Sequence, residues 1–253
     1  MFQLGIKYMK YWHDEIKCES HFPKTLRTAP FIIVVYQFDY SNPQDRVLIN
    51  RIVLQSSRLA QSVYDGAANN SESHRSTQRI LANCIAGLTA EYCWRHFLNF
   101  KKETVRTTPF NSAANQIDLE VISNQKKIEV RSSFPRNGIP FAICHPQKEF
   151  DILGPYANTY KPGEPIKDYY VRTLFHLATP FEILQKIKSS EFIVYLTGGA
   201  TRDMMFNNDL SIVKDLIPED SFQTQQAATT YRVVPYHNAL DCRQIYHLIT
   251  NEK

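Results

Sequence analysis

Short apolar runs alternate along this chain with long stretches of helical periodicity, and this alternation constrains the fold more than any other feature. The run APFIIVVYQF at 29–38 is dense in β-branched and aromatic residues, which is typical of a strand. The following segment, 44–66, keeps its apolar residues at helical spacing and ends at Gly66. Strands are also predicted at 104–110, 116–122, 126–133, 168–177, 191–199 and 230–236, and helices at 77–100, 179–190 and 238–250. The order predicts an α/β protein with a mixed central β-sheet flanked by helices.

Two stretches interrupt this pattern. AANNSESHRS, at 67–76, is small, polar and without periodicity, so it is either a linker or a surface loop within one domain. Taken as a linker, it separates an N-terminal arm or helical extension, 1–76, from a domain at 77–253. The segment 134–167 is rich in Pro and Gly and is predicted to be largely loop. A loop of that length in a compact domain usually has a functional reason.

Composition excludes several classes of protein. No stretch approaches the roughly 18 apolar residues of a membrane span, and charges interrupt the apolar residues of the N-terminus, unlike a signal peptide. The five cysteines have no paired spacing, so we expect reduced thiols in a cytoplasmic protein. Neither CxxC nor HxxxH occurs, which disfavours a zinc site. The net charge of +4 permits an anionic partner without requiring one.

The stretch QIDLEVISNQKKIEVRSS, 116–133, carries carboxylates within two predicted strands joined by a short turn. Asp118 and Glu120 share one face of the first strand, and Lys127, Glu129 and Arg131 share one face of the second. Carboxylates held a few ångström apart repel one another unless a cation lies between them. Mg²⁺ suits such a site, since it takes one or two carboxylates together with water and phosphate oxygens. The alternative is a solvent-facing hairpin whose charges pair with their neighbours.

The preceding helix offers a third carboxylate. Glu91 follows Gly87 by one helical turn, and small residues cluster around both positions. We expect Gly87 to let this face approach the sheet, so that Glu91 points toward the strand carboxylates. A buried carboxylate needs such a partner because burying it alone is costly.

This arrangement resembles the PD-(D/E)XK nuclease superfamily, which has the restriction-endonuclease-like fold. In that family a strand Asp and a Glu-x-Lys on the next strand bind Mg²⁺, often helped by a Glu on the preceding helix. The resemblance covers about residues 77–133 and implies a restriction-endonuclease-like core with an N-terminal extension. It implies Glu91, Asp118 and Glu129 as ligands of Mg²⁺, with Mn²⁺ as a substitute.

The chain departs from the family's pattern at two positions. Ile117 precedes the strand Asp where the family often has Pro, and Arg131 stands at the lysine position. Arginine stays protonated and can only orient and stabilise a phosphate. Lys127, two residues before Glu129, is therefore a second candidate for the catalytic cation beside Arg131.

The resemblance implies a Mg²⁺-dependent endonuclease that hydrolyses phosphodiester bonds of double-stranded DNA, such as a restriction or defence nuclease. Cutting both strands usually needs two sites, so it also implies a homodimer. The alternative is an inactive module of the same fold that binds nucleic acid or scaffolds a complex, which the arginine at the lysine position favours.

Polar and basic residues near the predicted site are candidates for DNA contacts. The alternative is that these residues lie in ordinary polar turns and in a packed loop held by prolines, without contacting DNA. The candidates are Ser132, Ser133, Arg136, Asn137, Lys161 and Lys167.

Overall fold

The computed structural model describes residues 10–63, 75–109, 117–157, 165–216 and 229–251. The described strands are β1 (Lys10–Ile16), β2 (Phe31–Phe38), β3 (Val105–Thr107), β4 (Leu119–Val121), β5 (Lys127–Ser133), β6 (Asp151–Tyr156), β7 (Tyr169–Leu174), β8 (Phe192–Thr201), β9 (Ile212–Leu216) and β10 (Thr229–Pro235). The described helices are α1 (Cys18–His21), α2 (Pro43–Ser62), α3 (Thr77–Leu98), α4 (Ile139–Cys144), α5 (Ile183–Lys186, preceded by a 3₁₀ turn at Pro180–Glu182), α6 (Arg202–Phe206) and α7 (Cys242–Asn251).

Seven strands form a mixed sheet in the order β1-β2-β8-β7-β5-β4-β3. Only β5 and β7 pair in parallel among these neighbours, and the other pairs are antiparallel. A second, antiparallel sheet has the order β6-β10-β9. The predicted α/β class with a mixed sheet flanked by helices is therefore confirmed.

Two apolar cores lie on the two sides of the large sheet. α2, α3 and α7 pack on one side, where the core includes Trp94, Val130 and Val171. α4, β6 and β10 pack on the other side, where it includes Tyr170 and Leu174. Alternate residues of β7 thus face different cores, as strand geometry requires.

The small residues of α3 pack as the sequence predicts, except for one. Ala82, Ala86 and Ala90 are fully buried. A Cβ added at Gly87, however, would meet nothing within 4 Å. The expectation that Gly87 allows the helix to approach the sheet is wrong, since the alanines make that approach.

The segment 134–167 contains more regular structure than predicted. α4 begins at Ile139 with Pro140 at its start, and β6 runs through Gly154 and Pro155. Proline and glycine suggested a loop, but proline is tolerated in the first turn of a helix and at the edge of a sheet, where no N–H is needed. β6 is such an edge strand.

Other bounds also differ from the predicted ones. β1 and β9, both edge strands, carry too many polar residues to stand out in the sequence. The helix predicted at 179–190 is reduced to a 3₁₀ turn and one helical turn, and the last helix begins at Cys242. α2 ends at Ser62, and the predicted stop at Gly66 lies outside the described residues.

The first third of the chain contributes to the central sheet. β2 pairs with β8 and lies between β8 and β1, while α2 packs against α3. The described part of the predicted N-terminal arm, 1–76, therefore shares a sheet and a core with the segment 77–253.

A disulfide joins Cys18 in α1 to Cys144 in α4. The expectation that all the cysteines are reduced is therefore wrong for this pair, which is 126 residues apart in sequence. Sequence spacing carries no signal for such a bond, because only the packing of α1 on α4 brings the two sulfurs together. Cys84, Cys93 and Cys242 are free and buried.

No helix in the described parts of the chain is long and apolar enough to cross a membrane.

Candidate active site

β4 and β5 pair through only two residue pairs and then separate, and Asp118 lies where they part. The antiparallel register ends at the pair Leu119–Ile128. Asp118 stands just beyond it, and its Oδ2 accepts a 2.7 Å hydrogen bond from the backbone N–H of Val130. A buried N–H without a partner is costly, so the carboxylate substitutes here for a strand carbonyl. This bond holds Asp118 beside β5.

Glu129 lies between two cations. Its Oε1 is 2.8 Å from Nη2 of Arg131, and its Oε2 is 3.4 Å from Nζ of Lys167. Glu129 is 8% exposed and Lys167 only 2%, so the pair is shielded from solvent. Two cations offset the cost of burying the carboxylate. Lys167 precedes β7, and the parallel pairing of β5 with β7 brings it to Glu129.

The carboxyl group of Asp118 has an unusual affinity for protons. Burial and, after it, the charge of Glu129 raise the pKa of Asp118 to about 7. The hydrogen bond from Val130 and the charges of Arg131 and Lys167 act in the opposite direction. The two carboxyl groups are therefore close enough to repel, and a proton or another cation relieves the repulsion.

Glu91 belongs to the same electrostatic cluster. Burial is the largest cause that raises the pKa of Glu91 well above its usual range, and the charges of Asp118 and Glu129 add to it. Arg95, one helical turn further along α3, lowers the pKa. The charges of the helix carboxyl and the two strand carboxyls thus influence one another.

The carboxyl groups form a limited set of potential metal ligands. Within the described residues, no group of three or more His, Cys, Asp or Glu side chains is arranged to hold a metal ion. Burial is the largest cause of the raised pKa of Asp118, and the charge of Glu129 is the second. One divalent cation would relieve the part that comes from Glu129. Mg²⁺ needs only one or two carboxylates when water and phosphate oxygens complete its shell. Asp118 and Glu129 therefore fit Mg²⁺, whereas a ligand set of three residues is not preformed in the described residues.

The amine beside Glu129 comes from Lys167 and not from Lys127. Lys127 lies on β5 opposite Glu120, and its backbone N–H donates to Oδ2 of Asp168 at 2.8 Å. Among the described residues, its ammonium group makes no ion pair with Asp118 or Glu129, whereas that of Lys167 does pair with Glu129. The sequence suggested a DNA contact for Lys167, or a place in a packed loop held by prolines, because nothing local indicates its contact with Glu129.

Glu120, the other carboxylate of the first strand, lies outside this cluster. Nε of Arg106 on β3 donates to its Oε1 at 3.1 Å, and the two residues are partners across the sheet. Glu120 therefore has the ordinary cross-strand ion pair that the alternative interpretation of the hairpin predicts. That interpretation does not describe Asp118 and Glu129, which are buried.

The predicted DNA contacts are distributed over several environments. Ser133 accepts a 2.8 Å hydrogen bond from Arg172 at its Oγ. Ser132 is half-buried on the opposite face of β5, and Arg136 and Asn137 are exposed in the turn before α4. Lys161 lies outside the described residues.

Arg172 is a charged residue that sequence reasoning missed. It is the strand partner of Arg131 in the parallel register of β5 and β7, and it is only 2% exposed. Two of its guanidinium nitrogens, Nε and Nη1, are buried without a hydrogen-bond partner among the described residues. In the sequence, a single Arg within an apolar strand indicates that a charged side chain is buried. It does not indicate which residues of other strands lie beside that side chain.

No protein-family model and no solved structure matches the chain. The chain is similar to an uncharacterized protein of Methanocaldococcus jannaschii, with 29% identity over 160 residues. The match covers 58% of this chain and 54% of the relative, so the chain spans about half the length of that protein.

Proposed function

We propose that this chain is a Mg²⁺-dependent endonuclease that hydrolyses phosphodiester bonds in double-stranded DNA, with the role of a restriction or defence nuclease. The observation that carries the proposal is the pair of buried carboxyl groups where β4 and β5 separate. Asp118 is fixed there by the Val130 amide, with Glu129 beside it between Arg131 and Lys167. The order of elements also agrees with the PD-(D/E)XK resemblance, because α3 with Glu91 precedes the two strands.

Each residue of the site has a role that follows from its contacts. Asp118 and Glu129 would hold Mg²⁺, which when bound supplies Lewis acidity and a nucleophile at neutral pH. The planar fork of Arg131 would grip two oxygens of the scissile phosphate. Lys167 would turn its ammonium from Glu129 toward the charge that develops on that phosphate.

Partner contacts follow from the same proposal. Arg136 and Asn137 are exposed beyond the end of β5, where they can contact the DNA backbone, and Lys161 is proposed for the same role. Cleavage of both strands at one place needs two sites, so the proposed active form is a homodimer. Light scattering of the protein with and without a DNA duplex would measure the oligomeric state.

The experiment is cleavage of supercoiled plasmid in Mg²⁺ or Mn²⁺ against an EDTA control. We expect Asp118→Asn and Glu129→Gln to lower the rate by a factor on the order of a hundred or more, as for the loss of a group that stabilises the transition state. Arg131→Ala should lose a similar factor, and Arg131→Lys should retain part of the activity. Lys167→Met should slow cleavage more than Lys127→Met.

Glu120→Gln is the matched control. It removes a carboxylate from β4 that pairs with Arg106 outside the site, so it should cut plasmid like the parent. Parent-like cleavage by both Asp118→Asn and Glu129→Gln would exclude these carboxyl groups as the site.

A second function is favoured by one observation. Arg131 occupies the lysine position of the family motif and already pairs with Glu129. The same fold without catalysis would bind nucleic acid or scaffold a complex. Retarded migration of a DNA duplex without cleavage in either metal would support this binding module over the nuclease.

A further inference from the structure

Arg172 places a cation in the interior without an acidic partner. It lies in the middle of β7 with 2% exposure, and no carboxylate of the described residues lies within ion-pair distance of its guanidinium. Among the described residues, its guanidinium donates one hydrogen bond, from Nη2 to Oγ of Ser133 at 2.8 Å. Buried charges are normally paired, because removing them from water is costly. An arginine with two unpaired, buried donors therefore indicates a missing anion.

The acidic residue whose charge acts on Arg172 is already engaged. Asp151 of β6 favours the charged form of Arg172 only from a distance, and its Oδ2 is 2.8 Å from Nζ of Lys214. Burial is the largest cause that lowers the pKa of Arg172, and the charge of Arg131 lowers it further. The two arginines thus repel each other, and an anion between them would remove that repulsion.

The position of Arg172 relates it to the carboxyl cluster. It is paired with Arg131 across two strands whose axes lie about 4.8 Å apart. Along β5, Arg131 is two residues from Glu129, a step of about 7 Å on the same face of the strand. Ser133 is the next residue on that face and already binds Arg172. Two guanidinium groups and a hydroxyl thus lie on the face of the sheet that carries Glu129, and one of them, Arg131, contacts that carboxylate.

The local backbone of β8 is also irregular next to Arg172. The register of β7 and β8 shifts between Val171 and Thr173, so β8 has an extra residue opposite Arg172. Gly198, with φ +82°, lies in that bulge, and a Cβ there would meet the Leu240 carbonyl oxygen at 2.0 Å. Bulges of this kind re-aim side chains next to functional sites.

We infer that Arg172 and Ser133, beside Arg131, form a phosphate subsite that binds the non-scissile phosphate adjacent to the cleaved bond in the same nucleic-acid strand. This inference rests on the proposed function, since it takes the scissile phosphate to lie at Asp118 and Glu129. Guanidinium forks match the oxygens of phosphate, and a hydroxyl supplies a further donor. The side chain of Arg131 is 22% exposed. The phosphate therefore reaches Arg172 from the side of the sheet where Arg131 meets solvent.

The first test uses inorganic phosphate and needs no cleavage. The full chain is unfolded thermally in EDTA at constant ionic strength, with phosphate titrated against chloride. We expect phosphate to raise the Tm of the parent and of the control Arg243→Met, which removes an exposed arginine from α7. Arg172→Met should lose the response, and Arg172→Lys should bind phosphate on the order of tenfold more weakly, because it loses the fork.

Undiminished phosphate binding by Arg172→Lys would overturn the subsite, and this variant decides alone if Arg172→Met does not fold. This test involves neither metal nor cleavage. A protein that has the subsite but no nuclease activity would still show the phosphate-dependent Tm shift, whereas a nuclease without the subsite would cut plasmid and show no such shift.

The second test identifies the source of the phosphate. In a DNA duplex that the parent cuts, the phosphate next to the cut is replaced by a neutral methylphosphonate. This replacement should lower the cleavage rate of the parent by about tenfold or more. Arg172→Lys should cut the modified and unmodified duplexes at similar rates, because this variant already lacks the contact between Arg172 and that phosphate. Equal losses in the two proteins would show that this phosphate does not bind at Arg172.

Discussion

At the scale of single residues, the proton on Asp118 connects the stability of the protein to the chemistry proposed for it. Its pKa rises from an ordinary value of 3.8 to about 7 because the group is buried beside Glu129. A carboxyl group with a raised pKa favours the folded state when protonated. Its contribution to stability is therefore complete below about pH 4 and is lost as the pH rises through about 7.

We predict that Asp118→Asn is more stable than the parent at pH 8 in EDTA, by on the order of 2–4 kcal/mol. The amide oxygen can still accept the hydrogen bond from Val130, while the buried charge is removed. The difference should shrink toward pH 5, where the parent is protonated. Urea unfolding across this pH range measures it.

Glu120→Gln is again the control, because its partner Arg106 is exposed and the pair is screened by water. Mg²⁺ at pH 8 should raise the Tm of the parent more than that of Asp118→Asn. A parent whose stability increases between pH 5 and pH 8 relative to Asp118→Asn would contradict the assignment of the raised pKa to Asp118.

At the scale of elements, the disulfide between α1 and α4 ties two very short helices to each other. Phe22 and Phe141 also meet edge to face here, and Thr25 donates its hydroxyl hydrogen to the Cys144 carbonyl. Neither helix exceeds six residues, which is too short for independent stability. The disulfide therefore stabilises the packing of α1 on α4, which the helix propensity of these short segments would not maintain.

We predict that Cys18→Ala/Cys144→Ala lowers the free energy of unfolding by about 2–5 kcal/mol, because the bond restricts the unfolded chain. Reductant should destabilise the parent to the level of the double variant and leave the double variant unchanged. In the unfolded, oxidised parent, thiol titration should count the three free cysteines, against five after reduction. Five thiols without reductant would contradict the bond.

At the scale of the whole molecule, β2 contributes buried residues to both cores. Val34, Tyr36 and Phe38 face the core on the α3 side, while Phe31 and Ile33 face the other core. All are almost fully buried. A strand that is apolar on both faces belongs to the interior of a sheet and cannot serve as a detachable arm.

We predict that the chain beginning at residue 77 does not fold cooperatively. Burial of each large apolar side chain contributes about 1.5–3 kcal/mol, so the apolar residues of β2 together contribute on the order of 10 kcal/mol. That is comparable to the whole stability of a typical domain. Thermal unfolding followed by near-UV circular dichroism, and binding of a dye specific for exposed apolar surface, would measure the loss. A sharp transition in the shortened chain would show that 77–253 is an independent domain.

The sequence by itself determined the elements whose pattern is local. The apolar run of β2, the long helix α3 with its small residues and the alternating apolar residues of β5 are each visible within a few neighbouring residues, and the structure contains all three elements. Alternation also predicted that Glu129 and Arg131 share a face, and they form an ion pair. Prolines and glycines misled the prediction for α4 and β6, because their effect depends on the position within the element.

Only the tertiary structure decided which distant residues meet. Lys167 reaches Glu129, and Arg172 lies beside Arg131, because β5 and β7 pair in parallel. Cys18 meets Cys144 because α1 packs on α4. Periodicity reports how each segment divides its faces between core and solvent, but it carries no information about the register between segments far apart in sequence. That register results from the packing of the whole chain, so the cations that surround Glu129 and the unpaired Arg172 become visible only in the folded protein.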